Sequence, residues 1–384
     1  MIYDFDTVVD RRNTCSLKWD VAENELPMWV ADMDFLVAPE IRDAIFKRFE
    51  NGIFGYSVIP PEWALAYVNW WRTRHNFEID PSWLVFCTGV VPAISCAVRK
   101  FTTPNENVVI QTPVYNIFFN SIVNNGRRVL ESPLIYRDGQ YSMDFEDLES
   151  KLSDPQTTMM ILCNPHNPVG RIWDRETLAT VGALCKKHGV LVLSDEIHCD
   201  ITAPGSGYVP FSSVDCTCRD ISITAIAPTK AFNIAGIQSA AVLAANPFLR
   251  HKITRALNTD EIAEPNVFAV PAAIAAFTQG GPWLDQFRSY VFENRSLCAS
   301  FLSEHLPQLH LVPAEATYLL WIDCSKVTED SVAFAKMIRE KTGLFVSNGT
   351  QYGQVGRCFL RVNIACPRSL LTDGLKRLEM AIKG

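Results

Sequence analysis

The sequence has no long apolar run, no basic tract and no cysteine pairs at metal-ligand spacing. Each absence removes a class of protein. Nothing approaches the ~18 apolar residues of a membrane-spanning helix; the longest near-apolar stretch, 234–245, is broken by Gly236, Gln238 and Ser239. Basic and acidic residues number 35 and 42, a net charge of −7 with no cluster of Lys or Arg, so no nucleic-acid surface is expected. The opening MIYDFDTVVDRR carries acids where a signal peptide carries bases and has no apolar core, so a cytoplasmic location is expected. Twelve cysteines are scattered without a repeat. Cys216 and Cys218, and the neighbours His198 and Cys199, lack a second ligand pair, so no metal is expected. Cys163, Cys185 and Cys199 lie in or beside apolar segments and read as small buried hydrophobes in a reducing compartment. Disorder is excluded by a 48% hydrophobic and 20% charged composition.

What is present is a chain of 384 residues, about two domains' worth at the usual ~100–200 residues each. Its middle alternates short apolar runs with amphipathic ones. Strands are expected at 84–87, 108–111, 159–163, 190–194, 221–225 and 240–243, with helices between them. The clearest helix has Asp174 as N-cap, Leu178, Val181, Leu184 and Cys185 on one face, a basic last turn at Lys186–His188, and Gly189 as its stop. Such alternation means βαβ units and a mostly parallel α/β sheet. Buried parallel strands should be continuously apolar, as VLVL at 190–193 is. The last hundred residues alternate helices with isolated strands, predicting a smaller α+β domain. The expected division is an N-terminal segment 1–45 packing on the small domain, a large domain 46–284 and a small domain 285–384.

In an open parallel sheet, ligands bind beyond the carboxyl ends of the strands. Gly89, Val90 and Val91 follow the first strand; Gly89 permits a tight turn, and the free amides of Val90 and Val91 would hold an anion at a helix N-terminus. The alternative is a plain strand–turn–helix join. Tyr115 follows the second strand, as core, rim or ring-stacking partner. Asn164-Pro165-His166-Asn167-Pro168-Val169-Gly170 follows the third, a rigid turn presenting polar groups. Asp195 ends the fourth; a buried acid there is costly unless a cation pairs with it. Thr229 and Lys230 follow the fifth. Lys230 is either a surface lysine or an amine whose pKa burial lowers, freeing it as a nucleophile. An anion cradle, an aromatic, a turn amide, a buried acid and an amine on one rim together suit pyridoxal 5'-phosphate, which needs a lysine Schiff base and an acid for its ring nitrogen.

The segments LPMWVADMDF (26–35), GIFGYS (52–57), TPVY (112–115), LCNPHNPVGR (162–171), LSDEIHCD (193–200), APTKAFNIAG (227–236) and FLRVNIACPR (359–368) resemble fold-type-I pyridoxal-phosphate enzymes of the aminotransferase class I/II family. They resemble most its MalY/PatB cystathionine β-lyase, or C–S lyase, branch. The resemblance implies a large domain with a mostly parallel mixed sheet flanked by helices, plus a smaller α+β domain. It implies Lys230, Asp195 and Tyr115 as catalytic residues, with Lys230 the covalent anchor, Asp195 on the ring nitrogen and Tyr115 on the ring face. Asn167 would meet the ring oxygen and Gly89, Val90, Val91 and Thr229 the cofactor. Arg361 would clamp the substrate carboxylate, with Asn167 and Tyr56 beside it. Tyr56 would reach the phosphate of the other subunit in a homodimer with shared sites.

The chain departs from the family pattern in places. Ala227 stands where many relatives place a phosphate-binding Ser, and no Arg follows in FNIAG. Asn348 stands where relatives tend to carry Pro, which bears on the substrate entrance. His198 follows DEI where aminotransferases have Tyr; it either touches the ring or packs behind it. The implied reaction is β-elimination on an L-cysteine thioether, giving thiol, pyruvate and ammonia. An aminotransferase shares every step up to loss of the α-proton, and Lys230, Asp195 and Arg361 do not distinguish the two. A non-enzymatic regulatory module on this fold finds no helix-turn-helix or basic appendage to support it, and Lys230 is intact.

Overall fold

The computed structural model describes residues 2–384. At its centre is a seven-stranded sheet. Across the sheet the order is Leu84–Cys87, Ala240–Leu243, Ser222–Ile226, Leu191–Asp195, Thr157–Cys163, Asn107–Ile110 and Arg128–Glu131. All pairings are parallel except the two made by Ala240–Leu243. The inner strands are buried along almost their whole length, as a sheet covered on both faces requires. Six of the seven were legible as apolar runs, within two residues at either end. The seventh, Arg128–Glu131, is an edge strand with charged ends and partial exposure; a half-solvated strand has no continuous apolar run to betray it.

Helices connect the strands. In Arg175–His188, the Asp174 side chain accepts from the Thr177 amide at 2.8 Å, and Leu178, Val181 and Cys185 face the core. Gly189 ends the helix at φ 70°, a left-handed conformation suited to glycine. The ladder fixes the active rim: Cys163 pairs with Asp195 and Asp195 with Ala225. The loops after these strands therefore leave the sheet at one level.

A second sheet has the order His310–Leu311, Leu319–Asp323, Phe359–Asn363, Ser347–Asn348 and is antiparallel throughout. The helix Gly281–His305 runs unbroken through the expected boundary at 284. The N-terminal segment is threaded into this second unit. Leu26–Pro27 pairs in parallel with Leu344–Phe345, and the Asp34 amide donates to Ala365 O at 2.9 Å. Behind it, buried Lys18 meets Asp34 at 2.6 Å, and Arg11 bridges Asp32 and Asp34. One hydrophobic cluster joins Phe5 and Phe35 to Trp283, Phe287 and Tyr318.

Candidate active site

At the carboxyl ends of the strands lies a cavity of about 260 Å³, close to the ~300 Å³ lower end of small-molecule pockets. Gly89, Val90, Val91, Tyr115, Asn167, Asp195, His198, Thr229 and Lys230 all line it. Sheet register brings these loops together, although Gly89 and Lys230 lie 141 positions apart in sequence. Val90 and Val91 open the helix Val90–Phe101; first-turn amides have no carbonyl one turn back to bond and are available to an anion. Gly89 is not a strained turn: its φ of 174° is extended backbone. A Cβ there would instead approach Pro92 Cδ at 3.2 Å.

Burial dominates the electrostatics. It pushes the Asp195 carboxyl up to about 7, against the pull of the Ile197 amide and the Lys230 charge. It lowers Lys230 to about 8, against the attraction of Asp32. About a tenth of the amine is therefore neutral at pH 7, far more than for a free lysine, which suits a base. His198 is driven down to about 3 by burial, then by the Lys230 and Arg361 charges, so it stays a neutral imidazole. Tyr115 is raised to about 12, first by burial.

Arg361 projects from the middle of the second sheet and is 5% exposed. Its Nη1 donates to Asn167 Oδ1 at 3.3 Å and its Nη2 to Trp29 O at 2.9 Å. It lies over the Tyr352 ring at 4.8 Å, and its Nε has no partner among the described residues. One residue along the neighbouring strand, Asn348 pairs with Leu360, and its buried Oδ1 also lacks a partner. Tyr56 is not part of this cavity: it is fully exposed in the single chain, in a depression shared with Phe54, Gly236, Ile237 and Phe268.

Reading the sequence missed Gln238 and Ala31, both on the cavity wall. Gln238 had a signal: it is a polar residue interrupting an apolar run, and it supplies an amide in the segment where no Arg is found. Ala31 contributes only its carbonyl, which accepts from Lys230 Nζ and from Tyr318 OH; a backbone oxygen leaves no mark in sequence. His75, Cys199 and Asp200 also meet, with potential ligand atoms within 4.8 Å. There Asp200 Oδ1 already pairs with His75 Nε2 and accepts from Trp70 Nε1, both at 2.8 Å.

The residues present fit a phosphorylated pyridine aldehyde. The helix amides suit its phosphate, the buried acid its ring nitrogen and the Lys230 amine its aldehyde. The unpartnered Nδ1 of His198 and Nε of Arg361 leave polar capacity for a guest.

The chain belongs to the aminotransferase class I and II family, whose model matches residues 28–378. Within that family it falls in the branch of two curated relatives. It is 42% identical to cystathionine beta-lyase PatB of Bacillus subtilis (strain 168), over 99% of this chain and 100% of that protein. It is 34% identical to protein MalY of Escherichia coli (strain K12), over 100% of this chain and 99% of that one. Among solved structures, cystalysin from Treponema denticola, which contains a pyridoxal 5'-phosphate cofactor, superposes with a TM-score of 0.97 at 34% identity. That match covers 100% of this chain and 99% of cystalysin.

Proposed function

We propose that this protein is a pyridoxal-phosphate-dependent C–S lyase acting on L-cysteine thioethers. The observation that carries the reading is a half-buried amine, Lys230, and a buried acid, Asp195, both lining one small cavity, in a chain whose full-length relatives include a cystathionine β-lyase. When bound, the cofactor supplies an electron sink that stabilises negative charge at the substrate α-carbon. Lys230 anchors it and then, as a free amine, takes the α-proton. Asp195 holds a proton at the ring nitrogen. Tyr115 covers the ring face, and Arg361, steadied by Asn167, receives the α-carboxylate with its planar fork. Loss of the α-proton is followed by departure of the thiolate from the β-carbon. With one water consumed overall, thioether becomes thiol, pyruvate and ammonia.

The test is to supply L-cystathionine and a simple S-alkyl-cysteine without any keto acid. Sustained, stoichiometric release of thiol, pyruvate and ammonia is expected. Turnover that stops after one equivalent until a keto acid is added would make the enzyme an aminotransferase instead.

The reading includes a homodimer. Ile53, Phe54, Tyr56 and Val58 are exposed beside Phe46 and Phe49. The depression they border includes Gly236 and Ile237, which sit between the cavity residues Ala235 and Gln238. A second copy covering this apolar face would bring its Tyr56 to the phosphate end of the cavity. Mixing inactive Tyr56→Ala and Lys230→Ala subunits should restore activity, since each heterodimer then has one site intact at both positions. No recovery despite verified exchange would rule out shared sites. Twelve unpaired cysteines support a reducing, cytoplasmic setting.

A further inference from the structure

Two of the segments that carry the resemblance, 26–35 and 227–236, are fastened to each other by one side chain. Asn233 Oδ1 accepts from the Met33 amide at 3.0 Å, and its Nδ2 donates to Met33 O at 3.1 Å and Phe35 O at 2.9 Å. Asn233 lies three residues beyond Lys230 and is absent from the cavity wall. The strap it holds passes over the Lys230 amine, and Ala31 O accepts from Lys230 Nζ. On its other side the strap is tied by Asn363, whose Nδ2 donates to Val30 O and Asp32 O, and by Arg361 on Trp29 O. Every one of these ties is a side chain gripping backbone carbonyls or an amide. The strap has only two residues of regular strand, Leu26–Pro27, at its start.

We propose that Asn233 is a positioning residue for the reaction: it clamps strap 29–35 so that the Ala31 carbonyl holds the released Lys230 amine in place over the cavity. This rests on the reading of Lys230 as the base, but it predicts something that reading does not. The clamp acts through the strap, so losing it should free the strap and slow the chemistry while leaving the cofactor bound.

Asn233 has φ 56°, a left-handed conformation that Asn, Asp and Gly tolerate and Ala does not. Backbone strain and the clamp can therefore be separated. Asn233→Gly relieves the backbone but deletes the clamp; Asn233→Asp keeps the acceptor for Met33 N–H and loses both donors. In the holoenzyme, Asn233→Gly should lower kcat about tenfold or more, with Asn233→Asp intermediate and cofactor absorbance retained in both. Hydrogen exchange should accelerate at the amides of residues 31–35 and stay unchanged in the strands of the large sheet. A glycine variant with wild-type kcat would overturn the proposal, because the position would then serve only its backbone conformation. Faster exchange at 31–35 with unchanged kcat would overturn it equally, since a loose strap would then cost the reaction nothing. Neither result would touch the assignment of Lys230, which fails separately if Lys230→Ala still turns over.

Discussion

The floor of the cavity consists of loops leaving parallel strands at one level, those ending at Cys163, Asp195 and Ile226. The other side, the roof, is an irregular strap, 29–35, which meets the cavity at Ala31 and is tied to Arg361 of the other sheet through Trp29 O. The floor is set by a backbone ladder that any buried apolar sequence could make. The roof hangs on individual side chains, Asn233, Arg361 and Asn363, reaching across 198 to 333 positions of sequence. A ladder bond lost from the floor is surrounded by others, whereas the roof is held across the cavity by single side-chain bonds of about 0.5–1.5 kcal/mol each, backed by the Asp34–Ala365 backbone bond and the Lys18 and Arg11 ion pairs behind it. The groups proposed to carry the chemistry, Lys230 and Asp195, sit on the ladder-built part, and the contacts proposed to orient them sit on the irregular part. Floor variants should therefore lose the chemistry outright and keep the fold, and roof variants should lose order, with affinity falling where Arg361 is changed and kcat falling more modestly where the strap beside Lys230 is loosened.

The largest expected effect is on the floor. Lys230→Ala should abolish turnover and the visible absorbance of the bound cofactor, because anchor and base are one group. Its fold should survive, since among the described residues the Lys230 amine bonds only the Ala31 carbonyl. Wild-type absorbance with residual catalysis in this variant would remove Lys230 from both roles.

Next comes Asp195→Asn. The cofactor should stay bound, but α-proton loss should slow by about 10³-fold, roughly 4 kcal/mol, because a neutral amide cannot keep the ring nitrogen protonated. A primary isotope effect on the α-deuterated substrate should grow as this step becomes limiting. A loss below tenfold would show that the acid is a packing residue of the floor.

On the roof, Arg361→Lys keeps the charge and loses the fork. KM for S-alkyl-cysteine should rise about 10- to 100-fold, with kcat changing much less. A purely catalytic defect with unchanged KM would place the carboxylate elsewhere and break the contrast between floor and roof.

The same contrast explains what was legible beforehand. Strand ends and the residues directly after them could be read because apolar runs mark strands and ligands gather beyond their carboxyl ends. Asp195 and Lys230 were found that way as polar groups terminating such runs, and their roles then came from the family resemblance. Arg361 stands inside a strand of the other sheet, and nothing local distinguishes it from a structural arginine; only the resemblance singled it out. Ala31 and Asn233 gave no local signal, because a carbonyl is the same in every residue and Asn233's partners lie 198 and 200 positions away. The edge strand Arg128–Glu131 escaped for the opposite reason: solvent on one side removes the apolar pattern that burial imposes.

The smallest effect is one of stability, and it tests whether the floor bears a cost for its chemistry. Burial raises Asp195 from its ordinary 3.8 to about 7. Between these values the folded state binds a proton that the unfolded state has lost, so this group favours folding at low pH. That contribution is lost as pH rises through 7, where the folded chain must hold a buried carboxylate. Asn at this position has nothing to titrate. In the cofactor-free enzyme, Asp195→Asn should therefore be more stable than wild type at pH 8, on the order of 1–3 kcal/mol. The difference should shrink toward pH 5. Glu196 is raised to about 7 in the same loop, first by burial, and the Asp195 charge adds to that rise, so removing the charge acts in the same direction and favours the variant at the higher pH. Thermal melts of both proteins at the two pH values decide it. An equal difference at pH 5 and 8 would mean that the buried charge is not the source. A difference confined to the higher pH would mean that the floor gives up stability to keep an acid under the cofactor. Asn233→Gly, by contrast, should gain no stability at either pH, because the roof residue it removes carries no charge.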